Sequence, residues 1–330
     1  MRFAVIGAGA IGAYVGASLA KGGADVSLVA RGNHLRAMQE RGVRVISERG
    51  NFQVHPRATD RCDEIGVVDC AIISLKAHQI AEMLEPMRPL IGPHTAIIGM
   101  QNGIPWWYFQ RHGGPYEGHI LETVDPGGRL ARTFDPDRVI GCAVYSATEI
   151  VEPGVIKHIE GTRYSLGHPS GEITPEIEAI ARAFVAGGLK APIEQNLRRD
   201  VWTKLLGNVC LNPISALTRA TLVEMATDPL VEGMLREMMA ESLAIAERLG
   251  VTVEVSIDKR IDGARRVGEH KTSTLQDLES GRPLEIDCII GAVVEMAKLV
   301  GVDVPATRYV YALTKLLDTT TQRRAREHHA

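Results

Sequence analysis

Arg2-Phe-Ala-Val-Ile-Gly7-Ala8-Gly9-Ala10-Ile11-Gly12 opens the chain: a short apolar run, a GxGxxG turn, then a helical pattern to about Lys21. Strand, glycine turn and helix in that order are the context in which the motif carries meaning. Gly7 permits the tight turn, Gly9 lets backbone approach a pyrophosphate, and Gly12 lets helix pack closely on strand, while the helix N-terminus faces the phosphates. The competing reading is a glycine-rich turn that binds nothing. Met1-Arg2 and the small apolar residues up to Ala20 also resemble a secretory leader, but a leader core has no need of glycines at 7, 9 and 12.

Outward from this turn the first half alternates strand and helix. Residues 26–30 read as a second strand and 34–41 as a helix. Residues 43–46 and 52–55, parted by Glu-Arg-Gly-Asn, read as a hairpin or two short strands. Continuous apolar runs at 67–75 and 95–100 are expected of parallel strands covered on both faces. The fold class is therefore α/β, a Rossmann-type doubly wound parallel sheet. From about Leu197 the texture changes to long amphipathic segments: a helix capped by Asp228-Pro229 and closed at Gly250, one over 284–300 stopped by Gly301, and one beginning near Pro305. We place the boundary after a strand at 190–194, giving a dinucleotide-binding domain over 1–195 and an all-helical substrate and catalytic domain over 196–330. Residues 323–330 read as a frayed end.

Composition narrows the partner. Lys and Arg number 37 against 40 Asp and Glu, a net charge of −3, which leaves no basic field for nucleic acid or an anionic membrane. No apolar run is long enough to span a bilayer. Five cysteines, Cys62, Cys70, Cys142, Cys210 and Cys288, lie at wide spacings with no CxxC, so no metal site is expected and the thiols read as reduced in a cytoplasmic protein. The partner is a small molecule or a second copy of the chain.

Four groups of residues carry chemistry. The second strand ends Leu28-Val29-Ala30-Arg31, without the acid that would receive ribose hydroxyls, and Asp25 lies too far back; Arg31 is either a solvated loop cation or a partner for a 2′-phosphate, the reading that favours NADP(H) over NAD(H). Lys76 and Asn102 follow the strands at 67–75 and 95–100, at the edge where such sheets bind ligands. Lys204, Asn208 and Asn212 recur every four residues and share one helix face among Trp202, Leu205, Leu206, Val209 and Leu211. Left unpaired on a buried helix, each would cost about 1–3 kcal/mol, so the stripe is either a solvated helix face or, as its apolar neighbours favour, faces a polar ligand such as a carboxylate. Glu285 falls in the first turn of the helix expected over 284–300, where by itself it reads as a favourable terminal charge.

The series of motifs resembles the ketopantoate reductase family, with a helical second domain like that of 6-phosphogluconate dehydrogenase. The residues that carry it are the glycine turn with Arg31, Ser74-Leu75-Lys76, Gln101-Asn102-Gly103, Lys204 with Asn208 and Asn212-Pro213, and Ser273 through Leu275-Gln276-Asp277 to Glu285-Ile286-Asp287. The resemblance implies NADPH-dependent reduction of 2-dehydropantoate, a 2-oxo acid, to (R)-pantoate, and a dimer. It implies Lys204 as general acid and Glu285 as the carboxylate that orients substrate and cofactor, the two catalytic residues. It makes Asn208, Asn212 and Ser273 substrate binders together with Lys204 and Asn102. Gly7, Ala8, Gly9, Ala10, Ile11, Gly12, Arg31, Lys76, Asn102, Ala147 and Glu285 would contact the cofactor. Two departures bear on substrate: Leu222 stands where the family carries a further substrate-binding Asn, and Trp106-Trp107-Tyr108-Phe109 concentrates four of the fifteen aromatic residues, as core or subunit contact or as the lid or wall of a roomier pocket. Two other functions follow from these features, a reductase of another 2-oxo acid or an imine, and a sensor that binds NADP(H) without turnover, in which Lys204 would be dispensable.

Overall fold

A computed structural model of the chain describes residues 1–329. It divides into two compact units, Met1–Gln101 with Pro105–Ile120 and Gly127–Leu197, and Asn102–Ile104 with Leu121–Pro126 and the chain from Arg198. Two short segments from within the first stretch of sequence thus belong with the later helices.

In the first unit, among the described residues, nine strands form one sheet in the order β4-β3-β9-β8-β7-β6-β1-β2-β5. The strands are β1 (Arg2–Ile6), β2 (Asp25–Val29), β3 (Val43–Ile46), β4 (Phe52–Val54), β5 (Arg57–Thr59), β6 (Cys70–Ile73), β7 (Ala96–Gly99), β8 (Val139–Glu152) and β9 (Val155–Gly167). β5, β2, β1, β6, β7 and β8 run parallel. Chain order reverses beside β1, whose neighbours are β2 and β6, and such a switch point opens a crevice at the carboxyl ends of the strands. The glycine turn after β1 and Ser74-Leu75-Lys76 after β6 both stand at that crevice.

The sheet is mixed beyond this core, because β9 pairs antiparallel with β8 and β4 with β3. β8 joins β7 only through Val139, Ile140 and Gly141, then runs past the carboxyl edge as half of a long hairpin whose far end carries β3 and β4. That hairpin was not anticipated from sequence. Helix α1 (Ala10–Lys21) packs against β2, β8, β9, β3 and β4, and its residues from Gly12 to Leu19 are buried. The strand expected at 190–194 is a correction: only isolated bridges form, Lys190 with Arg163 and Ile193 with Leu166, since Pro192 has no N–H to continue a ladder. Helices α2 (Gly32–Arg41), α3 (Ala77–Met87), α4 (Arg129–Thr133) and α5 (Pro175–Ala186) complete the unit. The aromatic cluster lies in its core, with Trp106, Trp107, Tyr108 and Phe109 all buried. A side chain at Gly141 would collide with the Trp107 ring, and Trp106 packs on Phe134 at 5.2 Å, so the cluster is packing and not a lid.

The second unit contains α6 (Leu197–Thr218), α7 (Leu222–Thr227), α8 (Pro229–Arg248), α9 (Ile257–Val267), α10 (Ser273–Glu279), α11 (Ala292–Val300) and α12 (Pro305–His329). α8 is central, packed against α7, α9, α11 and α12. It starts where Asp228 accepts from the Leu230 and Val231 N–H groups and Pro229 supplies a preset first residue. Two expectations fail here. The helix read over 284–300 begins only at Ile286 and opens with a π-turn, Asp287–Gly291, so Glu285 precedes the helix. The chain end read as frayed is the continuation of α12, described through His329; Ala330 lies outside the described residues.

Two carboxylates hold remote segments to these helices. Glu295 of α11 accepts from the Glu122 and Thr123 N–H groups at 2.8 and 2.9 Å, which draws 121–126 into the unit. Glu241 of α8, 9% exposed, accepts from Ala306 and Thr307 N–H at 2.9 Å each and from the Thr307 hydroxyl at 2.6 Å, capping α12. Hydrogen bonds to a charged acceptor are worth about 1.5–3 kcal/mol, and its loss strands buried donors. Glu241→Ala is therefore expected to destabilise the helical unit by about 2–4 kcal/mol, seen as a lower urea midpoint for the unfolding of that unit.

Candidate active site

In the first unit the glycine turn is built by its own backbone. Gly7 and Ala8 N–H both donate to the Val29 carbonyl at the end of β2, at 3.1 and 2.9 Å, and Gly9 N–H donates to the Gly7 carbonyl at 2.7 Å. Gly7 has φ +90°, and a Cβ there would come within 2.7 Å of the Leu75 side chain, while one at Gly12 would collide with the Gly7 carbonyl. Gly9 differs, with nothing within 4 Å of its Cβ position. α1 then starts at Ala10 without a capping side chain or an acid in its first turn, so the N–H groups of Ala10, Ile11 and Gly12 and the helix dipole form an anion-binding end.

Arg31 stands at the head of α2, directly beyond β2, exposed and without an ion pair among the described residues. Behind it, His34 Nδ1 accepts from Gly154 N–H at 3.0 Å, and burial pushes the His34 pKa down, which keeps this acceptor nitrogen unprotonated. Lys76 begins α3, its N–H donating to Gln79 Oε1 at 3.4 Å. Sequence reasoning missed Gln101, whose Nε2 donates to the Ile73 and Leu75 carbonyls at 2.8 and 3.2 Å and so ties the loop after β7 to the loop carrying Lys76. Its place in the Gln-Asn-Gly turn was the only signal. Ala147 sits in β8 where the pairing with β9 slips on both sides, a bulge that releases backbone groups from the ladder. The flanking Ser146 Oγ and Thr148 Oγ1 are buried with no protein partner among the described residues.

In the second unit α6 is held by apolar burial, with Trp202, Leu205, Leu206, Val209, Cys210, Leu211 and Ile214 all buried, each worth roughly 1.5–3 kcal/mol for a large side chain. The polar stripe rides on that support. Lys204 Nζ donates to Asn102 Oδ1 at 2.6 Å. Asn208 is half-buried and Asn212 buried, and among the described residues neither side chain has a hydrogen-bond partner. Arg260 of α9, also missed from sequence, lays its guanidinium on Gly207, where any side chain would collide with it. Its Nη2 donates to the Lys204 carbonyl at 3.4 Å, and its Nε is buried with no hydrogen-bond partner among the described residues. Glu285 is half-buried just ahead of the π-turn, and its carbonyl accepts from the Cys288 thiol at 3.2 Å. Ser273 opens α10 and is exposed; no hydrogen bond ties it to Asn208 or Asn212 among the described residues.

The structure thus joins Lys204 directly to Asn102, lines Asn208 and Asn212 along the same face, and gathers Gly7 to Gly12, Arg31 and Lys76 at one sheet edge. None of the five cysteines is in a disulfide and all are buried; burial pushes the Cys210 thiol up to about 12, out of the reactive range. No helix among the described residues is long and apolar enough to cross a membrane, and no cluster of His, Cys, Asp or Glu among them could hold a metal ion.

An α/β unit with a glycine turn at its switch point, followed by an all-helical unit bearing a lysine and asparagine stripe, defines the class of two-unit dinucleotide-dependent oxidoreductases built like 6-phosphogluconate dehydrogenase. Family models described as ketopantoate reductase PanE/ApbA and ketopantoate reductase PanE/ApbA C terminal match residues 3–107 and 196–318. A 2-dehydropantoate 2-reductase of Mesorhizobium japonicum is 46% identical, over 96% of this chain and 98% of its own. A crystal structure from Ralstonia solanacearum MolK2 assigned as a ketopantoate reductase superimposes with a TM-score of 0.91 at 38% identity, covering 97% of this chain and 98% of that one. The 2-dehydropantoate 2-reductase of Geobacter metallireducens GS-15 does so at 0.85 and 28%, covering 96% and 99%. The chain belongs to the ketopantoate reductase family.

The glycines separate folding from ligand binding. Gly12→Ala is expected to lower the Tm of the first unit by several degrees, roughly the effect of 1–2 kcal/mol, whereas Gly9→Ala leaves the Tm at the parent value. Differential scanning calorimetry of the two variants checks this.

Proposed function

We propose that the chain reduces 2-dehydropantoate to (R)-pantoate with NADPH. The observation that carries this reading is Lys204 held by Asn102 on a face continued by Asn208 and Asn212, in a chain of this family. The residues present fit the cofactor: the open Gly9, the uncapped end of α1, and Arg31 beyond a second strand that ends without an acid. Gly7 to Gly12 would hold the pyrophosphate, Arg31 the 2′-phosphate, and Lys76, Asn102, Glu285 and the Ala147 backbone further parts. Bound NADPH would supply a hydride to the ketone carbon.

The rest falls to side chains of the second unit. Hydride addition builds negative charge on the ketone oxygen, and the Lys204 ammonium stabilises it first as a cation and then by releasing its proton, so the oxygen becomes the hydroxyl of the product. Asn102 fixes where that ammonium sits. Asn208 and Asn212, with amide groups unclaimed among the described residues, suit the carboxylate and hydroxyl of a small 2-oxo acid, and Ser273 adds a hydroxyl. Glu285 orients substrate and cofactor. The family reading also brings a homodimer and a cytoplasmic setting, the latter supported by five buried cysteines outside any disulfide.

One observation favours a second substrate. Leu222 places an apolar side chain at the head of α7, its N–H donating to the His270 carbonyl at 3.0 Å, where the family resemblance calls for an Asn. A less polar 2-oxo acid would suit that change. NADPH oxidation measured on 2-dehydropantoate beside a panel of 2-oxo acids decides: a preference for 2-dehydropantoate below about tenfold, or about 1.4 kcal/mol, overturns the specific assignment.

Arg31→Ala is expected to weaken NADPH about 10- to 100-fold and to leave NADH nearly unchanged, because only the 2′-phosphate contact is lost. Steady-state kinetics with both cofactors would show it. Lys204→Ala should lower kcat by roughly 10²- to 10⁴-fold, with NADPH affinity by fluorescence titration kept within about twofold. Unchanged turnover would leave the lysine outside the chemistry and favour a sensor.

A further inference from the structure

We infer that Cys288, in the π-turn that opens the helix after Glu285, is a positioning residue whose carbonyl and thiol set Asn102 against Lys204 and hold the Glu285 backbone in register with them. The inference rests on the reading of Lys204 as the proton donor. Its basis is a chain of contacts within the second unit. The Cys288 carbonyl accepts from Ile104 N–H at 2.8 Å. Gly103, with φ +81°, lies flush on that same carbonyl, and a Cβ at Gly103 would collide with the Cys288 oxygen and stand 2.9 Å from the Ile289 nitrogen. The residue before Gly103 is Asn102, whose Oδ1 receives the Lys204 ammonium. On the other side, the Cys288 thiol donates to the Glu285 carbonyl at 3.2 Å. One buried residue therefore touches the backbone of both segments that carry proposed active side chains.

The π-turn gives that residue its reach. A π-turn widens the helix by one residue and is common at functional sites; here it presents the Cys288 carbonyl to a donor from outside the helix. It is also braced from α12. Asp287 accepts from Tyr311 Oη at 2.8 Å and from Lys315 Nζ at 2.6 Å, and the Tyr311 hydroxyl would lie 2.9 Å from a Cβ on Gly291. α12 fixes Asp287, the turn fixes Cys288, and Cys288 fixes the Asn102-Gly103-Ile104 segment. A lysine side chain has four rotatable bonds, so its ammonium is placed by the acceptors that hold it, Asn102 Oδ1 among them.

The acceptor also sets the charge state. A hydrogen bond received from the ammonium favours the protonated form, so loss of the Asn102 contact lowers the pKa of Lys204. A general acid must be protonated to act, and the basic limb of the kcat profile then moves to lower pH. Charged groups on the elements involved are Arg198, Arg199 and Asp200 on α6, Asp258, Lys259, Arg260, Asp262, Arg265 and Arg266 on α9, of which Arg260 reaches the Lys204 carbonyl, and Glu285 and Asp287 at the π-turn. Gly103→Ala alters none of them, and Tyr311→Phe changes no charge but removes one hydrogen bond from Asp287.

Gly103→Ala is expected to lower kcat by on the order of 10²-fold through misplacement of Asn102, and Tyr311→Phe by a smaller factor in the same direction. Both should move the basic limb of kcat, and the Lys204 titration followed by NMR of 13Cε-labelled lysine, to lower pH. Lys204→Arg assigns the resonance. A folded Gly103→Ala with the parent kcat and the parent Lys204 titration overturns the inference; if that variant does not fold, an unchanged Lys204 titration in Tyr311→Phe does so. The NMR readout needs no turnover. A protein inactive on every 2-oxo acid but with a shifted Lys204 in these variants keeps the positioning device and loses the reductase reading.

Discussion

The hydrogen bond from Lys204 Nζ to Asn102 Oδ1 joins residues 102 apart in sequence at 2.6 Å, and much of the second unit is arranged so that it can form. Ordering a lysine side chain costs up to about 2 kcal/mol of rotamer entropy, which one surface contact would not offset. Here the cost is met by burial. The apolar side chains of α6 fix the helix, and the Cys288 carbonyl holds Ile104, two residues beyond Asn102. The constraint also explains why 102–104 leaves its sequence neighbours: Gln101 is held by the carbonyls at the end of β6, and the very next residue is held by α6.

The first unit meets a different demand, that backbone come close to a charged ligand without a side chain in the way. The turn after β1 is closed by bonds to Val29, so its geometry does not wait for a ligand. Gly7 and Gly12 serve the fold, one by positive φ and the other by contact with the Gly7 carbonyl, and Gly9 alone faces open space. In the same unit, the amide of Gln101 bonds two carbonyls at the loop that carries Lys76. A loop lysine becomes useful for binding only when its backbone is held in this way, since the binding cost otherwise includes ordering the loop.

What could be read from the sequence was what is local. The glycine turn, the 3.6-residue stripe of Lys204, Asn208 and Asn212, the Asp228-Pro229 cap and the Gly301 stop depend on residues within a turn or two of one another, and each stands where its pattern put it. The long β8–β9 hairpin was not legible, because Gly141, Cys142 and Ala143 are weak strand formers and the pairing is decided by partners far along the chain. The π-turn after Glu285 was not legible for another reason. An extra residue in a helical turn leaves the apolar pattern nearly intact, and what selects it here is Asp287 bonded to Tyr311 and Lys315 from α12. Arg260 over Gly207 has no sequence signal, since its place is set by the packing of α9 on its neighbours.

The asparagine stripe shows the tension between stability and chemistry most directly. Asn212 is 6% exposed on a helix whose neighbours are apolar, and Pro213 beside it removes the N–H that would have bonded the Val209 carbonyl. A leucine at 212 would bury more apolar surface, and an alanine at 213 would restore a helical bond. Folding alone selects neither residue. Under the proposed reading both have a use: the amide awaits a ligand oxygen in place of a protein group, and the freed carbonyl leaves polar backbone on a helix otherwise closed to it. Because an amide left unpaired in the free protein gains its full bond only when substrate arrives, the destabilisation carried by Asn212 reappears as binding energy for a polar ligand.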